Sequence, residues 1–493
     1  MDQQVDNTKP PASELVLSQQ QKNVVIGGVL LAMLLAALDQ TIVAPAMPTI
    51  GSALGHAQYL PWIVTAYLLA ATALAPLYGR ISDIYGRRPT IMVAIAIFLA
   101  GSVISAIAPD MLTLIIGRAV QGIGGGGLFT MSQTIIGDLV PPRERALYAG
   151  WISGMWAVAS IAGPLLGGAF AEHLHWSLIF WINLPLGVVA VLTINGPLKR
   201  LPVAGRRHSI DGWSAALLIV ATSLLLLALN WGGSTYPWRS PEILGLLGGS
   251  VLGFAALGIR LVKASEPLIS LEILGNRVVL FGTLGVFMLQ GANIGLAVYL
   301  PVYLESVQGL TAGESGLGLL SLLLGTVAGA SMSGRLTAKL VHYKRIALFG
   351  ICISVAAVIV LAVVAASAPL WQIEVLLAIV GIGSGTVFPV TTVSVQNAVD
   401  RAHLGVATGV LTFLRSLGSA LGVAVLGAVA LGYGIPLAGE AMRHHAAAGS
   451  GDGFAMIYFV CALMLVLGLV SLVLMPEKPL RGSADNTPPP MEG

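Results

Sequence analysis

This sequence predicts an all-α integral membrane protein of fourteen spans, two six-helix bundles with two further helices inserted between them. Three observations carry that expectation. The 493 residues are 56% hydrophobic and only 10% charged, whereas average proteins carry about 25% charged residues. Apolar runs of about 18 to 25 residues, long enough to cross a bilayer, recur fourteen times. With both ends of the chain cytoplasmic, 21 of the 25 Lys and Arg residues fall in the eight inner segments, the bias that orients membrane proteins.

In order, the spans are expected at 24–46, 59–79, 90–108, 111–137, 146–170, 177–196, 211–230, 241–262, 278–303, 314–338, 345–367, 373–396, 405–432 and 454–475. Residues 1–23 form a polar cytoplasmic tail of mixed charge (Asp2, Asp6, Lys9, Glu14, Lys22). The apolar run after it is too long for a signal-peptide core, so it reads as a retained helix. Gly79-Arg80-Ile81-Ser82 after the second span is echoed by Gly334-Arg335-Leu336-Thr337 after the tenth. Gln121-Gly122-Ile123-Gly124-Gly125-Gly126 in the fourth is echoed by Val380-Gly381-Ile382-Gly383-Ser384-Gly385 in the twelfth. Spans one to six thus repeat as nine to fourteen, which divides the chain into a bundle at 24–196, a linker with spans seven and eight at 197–277, a second bundle at 278–475 and a cytoplasmic tail at 476–493. Repeats of this kind mark transporters whose site lies between the halves near mid-membrane.

Asp39 stands out within the first span. At ~1.5 Å per helical residue its carboxyl group lies roughly 20 Å into a core ~30 Å thick, where an ionisable group is costly and marks function by default. Arg118 is eight residues from the outer end of span four and Asp39 about seven from the outer end of span one. Both are therefore expected at similar depth, facing one cavity. A proton carrier must titrate near neutral pH, and burial and a neighbouring guanidinium act on a carboxyl in opposite directions. A purely structural ion pair is the alternative.

Other motifs surround this pair. Gly79-x-x-x-Asp83-x-x-Gly86-Arg87-Arg88 occupies the short inner loop between spans two and three. Its glycines permit a tight turn, and its charges suit either a latch on the inner face or a basic turn that only fixes topology. Arg118-x-x-Gln121-Gly122 lies in span four, and Gly154 through Gly163-Pro164-Leu165-Leu166-Gly167-Gly168 in span five. Leu38-Asp39-Gln40-Thr41-Ile42-Val43 leads to Met47-Pro48, Pro61-Trp62-Ile63-Val64-Thr65-Ala66-Tyr67 opens span two, and Phe180-Trp181-Ile182-Asn183-Leu184-Pro185 opens span six.

Taken together and in this order, these motifs resemble those of the major facilitator superfamily, and within it the fourteen-helix drug:proton antiporters. The resemblance covers essentially the whole chain. It implies two rocking bundles and proton-driven export of hydrophobic, often cationic, small molecules, with Asp39 and Arg118 coupling the proton. It implies a gating latch of Gly79, Asp83, Gly86, Arg87 and Arg88, in which Arg87 pairs with Asp138. It also implies a hinge and seal at Gly154, Gly163, Pro164, Gly167 and Gly168, which otherwise read as a tightly packed Gly-rich helix. The second half departs from the pattern, with Ala338 where the first has Asp83.

Candidate cavity walls are Trp62, Tyr67, Gln121, Phe129, Trp156, Gln290, Asn293 and Phe388. Arg415, about ten residues from the inner end of span thirteen, suits snorkelling, a structural bond or substrate contact. Cys352 and Cys461 lie in apolar spans and give no disulfide framework. His173-x-His175 and His444-His445 lack the further ligands a metal needs. Gly124 to Gly127 is not followed by the Lys-Ser/Thr of a phosphate loop. With no nucleotide-binding domain, no metal or cofactor site and no nucleophile–base constellation, the expectation is a gradient-driven transporter rather than an enzyme. A net charge of +3 is too small to argue nucleic-acid binding. Expected partners are a small-molecule substrate, protons and the lipid bilayer of an inner or plasma membrane, with the chain a monomer and an adaptor undecided. The rival reading is a dedicated exporter of one endogenous metabolite, siderophore, lipid or antibiotic.

Overall fold

The computed structural model describes residues 18–199, 210–364, 367–435 and 451–480. The tail to residue 17, Arg200, Arg206, Arg207, Arg443, His444-His445 and everything from 481 lie outside the described residues.

Among the described residues, fourteen helices are long and apolar enough to span a membrane. They are α1 (Gln19–Leu54), α2 (Leu60–Tyr85), α3 (Arg87–Ala106), α4 (Met111–Leu139), α5 (Pro142–His173), α6 (Leu178–Leu198), α7 (Gly212–Trp231), α8 (Pro241–Lys263), α9 (Arg277–Ser306), α10 (Glu314–Lys339), α11 (Lys344–Val364), α12 (Leu370–Asn397), α13 (Arg401–Gly432) and α14 (Gly453–Leu474). Helices are what lipid demands, because every backbone group must find its partner within the segment. Several of their N-termini are capped by side chains. Ser18 and Gln21 form a capping box at the start of α1, Asp110 accepts from Thr113 N at 2.8 Å, and Ser240 precedes the helix-starting Pro241. The bond from Thr113 holds the Asp110 carboxyl below its ordinary range.

The first helix is longer than its apolar run suggested. It starts at Gln19 and runs on through Pro45 and Pro48 to Leu54, so Asp39 is farther from its end than the sequence implied. Two spans are interrupted rather than straight, α6 at Ile182 and α12 at Thr386.

Helices α1–α6 pack chiefly on one another, as do α9–α14, while α7 and α8 form a hairpin that leans on α2 and α13. The two bundles approach each other most closely toward the end carrying the basic loops, called here the basic end. There α2 meets α13 and α5 meets α10. At the first seam Gly79 lies against Gly405 so closely that a Cβ on either would collide with the other's carbonyl. At the second, Gly334 abuts the Ala146 backbone and Gly150 abuts Ser331. Only residues without a side chain let backbones approach this far, the usual device of helix packing in lipid.

Candidate functional site

Arg118 and Gln121 are three residues apart on α4 and therefore share a face. Behind that face Gly101 of α3 presses its backbone against Gln121. The pair is thereby aimed at α1. Arg118 Nη1 donates to Asp39 Oδ2 at 2.5 Å and Gln121 Nε2 to Asp39 Oδ1 at 2.6 Å. A third donor comes from α6, where Asn183 Nδ2 reaches Asp39 Oδ1 at 2.9 Å. Gln121 Oε1 in turn accepts from Arg118 Nη1 at 2.7 Å, and Ser102 Oγ accepts from Gln121 Nε2 at 2.8 Å. Arg118 Nε finishes on the Ile63 carbonyl at 3.1 Å, and its guanidinium carbon lies 4.5 Å from the Tyr67 ring centroid and 5.7 Å from that of Phe180.

The side chains of Arg118 and Asp39 are 1% and 0% exposed. Two unit charges at ~4 Å attract by about 4 kcal/mol at an effective dielectric of 20, while each ion's desolvation costs several kcal/mol. The extra donors and the two aromatic rings are what make such a pair tolerable in the membrane. This corrects the expectation that Asp39 faces a cavity between the bundles. It faces inward, toward α4 and α6, because that is where its three donors are. Gln121 and Tyr67 are likewise removed from the cavity wall: both are fully buried and belong to this network.

The loop charges form a second cluster. Arg87 joins Asp83 (Nη1 to Oδ1, 2.5 Å) and Asp138 (Nε to Oδ2, 2.6 Å), and Nη1 also reaches Ser82 Oγ at 2.7 Å. Asp83 then crosses to the other bundle, accepting from Gly405 N at 3.0 Å and Val406 N at 2.9 Å. Gly86 ends α2 with φ 95°, a conformation that costs glycine nothing. Arg88 does not join this cluster. It turns back to Asn195 Oδ1 of α6 at 2.7 and 3.0 Å, within its own bundle.

Of the remaining candidates, Trp62 packs edge-on against Trp231 of α7, ring centroids 5.6 Å apart, and so serves the inserted hairpin rather than a cavity. Phe129 and Trp156 stack at 5.3 Å with their planes 9° apart, and Phe129 is buried. Phe388 packs on the first bundle's core. Together with Gln133, Arg145, Tyr148, Ile152, Thr392 and Gln396 it lines a small cleft between the bundles at the basic end. Gln290 and Asn293 are half-buried on α9, and Asn293 Oδ1 is enclosed without a hydrogen-bond partner. The α5 glycines divide. Gly163 and Gly167 press on Thr41 and Ile42 of α1, but Gly154 and Gly168 have nothing within 4 Å, so the close packing expected of all four applies to two. Pro164 lies within the unbroken α5.

Three contributors were missed. Asn183 stood within the motif that opens span six but was given no role of its own, and Ser102 gave no signal at all. Gln396, which bonds Thr408 Oγ1 at 3.2 Å and the Gln133 carbonyl at 3.4 Å across the bundles, could have been singled out as a polar residue near the end of span twelve.

The comparisons agree with this architecture. Multidrug transporter protein MdtP of Bacillus subtilis is 33% identical over 411 residues, covering 83% of this chain and 76% of the relative. The MFS-type efflux pump LUC4 of a Fusarium species is 35% identical over 433 residues, covering 85% and 76%. In structure, the proton:xylose symporter XylE superposes with a TM-score of 0.64 at 15% identity, covering 94% of this chain and 98% of that one; at that identity the likeness is one of fold. The profile of the Major Facilitator Superfamily matches residues 29–423. Two six-helix bundles with an added hairpin of two apolar helices, a profile match across most of the chain and efflux transporters among its relatives place this protein in the major facilitator superfamily.

Proposed function

We propose that this chain is a proton-coupled exporter of apolar small molecules, working by alternating access between its two bundles in a cell membrane, with the basic end and both termini cytoplasmic. Relatives named as a multidrug transporter and an efflux pump support the direction of transport. The observation that carries the coupling is the sealed Asp39–Arg118 pair. No solvent reaches the carboxylate in this conformation, so a proton can be exchanged only when α1 moves away from α4 and α6. Protonation then cancels one charge of the pair and weakens the three bonds that hold these helices together. Chemistry and helix packing are thereby linked. A proton moving inward delivers ~2.3 kcal/mol per 100 mV and about 1.4 kcal/mol per pH unit, enough to drive a steep gradient of neutral substrate. The preference for cations expected from the sequence is not part of this proposal, because it required a carboxylate open to the cavity.

The test is purified protein in liposomes under an imposed pH gradient, scored with several lipophilic dyes. Asp39→Asn is expected to remove the gradient-driven component while the protein remains folded in the membrane. Undiminished gradient-driven transport by that variant defeats the assignment.

A further inference from the structure

Asp39 and Arg118 neutralise each other inside the first bundle, and Asp83 and Asp138 share Arg87. Among the described residues, Arg415 is a further charge deep within a span. Arg415 sits about halfway along α13, on the face that carries Thr408, Ser419 and Gly422, and is half-buried. Thr408 on that face bonds Gln396 of α12, and Gly422 lies against Gly291 of α9, so the face is turned toward other helices rather than toward lipid. Among the described residues Arg415 has no carboxylate partner. Its guanidinium carbon lies over the Phe388 ring, 5.1 Å from the centroid. Phe388 in turn packs on the core of the opposite bundle and lines the cleft between them. The ring covers one face of the guanidinium and leaves its edge N–H donors uncommitted.

A cation held at mid-membrane without a counter-ion is costly, and its cost is relieved by whatever anion enters beside it. The planar fork of donors in arginine matches a carboxylate. We propose that Arg415 is a substrate-recognising charge beside Phe388, at the inner edge of the cleft between the bundles, and that the exporter takes apolar molecules bearing a carboxylate, held by the guanidinium edge with their apolar body against Phe388. This rests on the transporter reading above and names its substrate class. It reverses the charge preference that the motifs alone suggested.

The experiment measures binding to the purified full-length chain in detergent, with no gradient, using fluorescent 1-pyrenebutyrate and its methyl ester at neutral pH. The pair share a ring and chain and differ in charge. The wild type is expected to bind the acid at least tenfold more tightly than the ester. Arg415→Gln should abolish that difference by weakening the acid, with the ester changed less than twofold, and Arg415→Lys should fall between. Equal wild-type affinity for acid and ester overturns the proposal without reference to any variant, as does tighter binding of tetraphenylphosphonium than of the acid. Equal weakening of both probes by Arg415→Gln makes the residue structural and also overturns it. Displacement of the acid by low concentrations of phosphatidylglycerol would place a lipid headgroup at Arg415 and overturn the substrate assignment. If coupling is what fails, binding discrimination survives and only the pH-gradient flux of the Asp39 experiment is missing, so the two failures are distinct.

Discussion

Asp83→Asn is the sharpest probe of how the basic end stays shut. The Asp83 side chain is 2% exposed and spans the seam, accepting from two backbone donors of α13 at 3.0 and 2.9 Å. Hydrogen bonds to a charged group contribute about 1.5–3 kcal/mol each. An amide keeps one acceptor oxygen but points N–H groups at the second donor, so one bond is lost and the other loses its charge assistance. The seam should weaken by roughly 2–4 kcal/mol, shifting the closed–open equilibrium about 30- to 700-fold. Arg87 keeps Asp138, so the first bundle itself should stay intact. The reporter is Thr408→Cys, a buried seam position, in a background lacking Cys352 and Cys461. Alkylation by an impermeant maleimide presented from the basic side should accelerate in proportion to the open population. If Asp83→Asn leaves that rate within twofold of its parent, the carboxylate does not hold the seam and the reasoning fails.

Further outcomes are expected from the packing and the charges. Gly163→Ala and Gly167→Ala drive a methyl into Thr41 and Ile42 of α1 and should cost about 1–3 kcal/mol, lowering the melting temperature of the detergent-solubilised protein. Gly154→Ala and Gly168→Ala meet open space and should be neutral or gain up to ~1 kcal/mol of helix propensity; identical losses at all four would contradict the steric account. Arg118→Gln and Asp39→Asn should each destabilise by about 3–5 kcal/mol as one buried partner is orphaned, while the double variant costs clearly less than their sum in an unfolding titration. Strict additivity would mean the two do not interact. At the inserted hairpin, Arg260 bonds both oxygens of Asp211 at 3.0 and 3.1 Å. With Ser214 it pulls the Asp211 carboxyl down to about 2. A depressed carboxylate stabilises the fold above its ordinary value of ~4 and loses that contribution as pH falls from there through about 2. Asp211→Asn should therefore flatten the dependence of the thermal midpoint in that acid window and leave the difference from wild type constant above it.

How much of this could be read from residues alone depends on what kind of physics set each feature. The spans were legible because a bilayer sets a minimum apolar length that each must meet, and Asp39 and Arg118 because a charge in an apolar run is conspicuous. Which way Asp39 points was not legible. The first span is apolar on every side, and a helix without a polar face gives no rotational cue. Asn183 was similarly hidden, since small polar residues in spans commonly satisfy themselves on their own backbone, as Thr134 does with the Thr130 carbonyl at 2.8 Å. Trp62 was misplaced because its partner, Trp231, belongs to the hairpin of α7 and α8, for which the motifs offered no docking position. Arg88 was grouped with Arg87 by adjacency, although consecutive residues at the start of α3 leave the helix about 100° apart, and the two guanidinium groups went to different neighbours.

The two corners at which the bundles touch are not equivalent. The α2–α13 corner is tied by a carboxylate reaching across to backbone donors, whereas at the α5–α10 corner small residues lie directly on backbone, and Ala338 stands where a matching acid would be. A clasp and a bearing result. Under the alternating-access proposal, rocking rolls about the corner of small residues, and the Asp83 carboxylate, beside the Gln396–Gln133 bond, raises the threshold for a displacement shared by twelve helices.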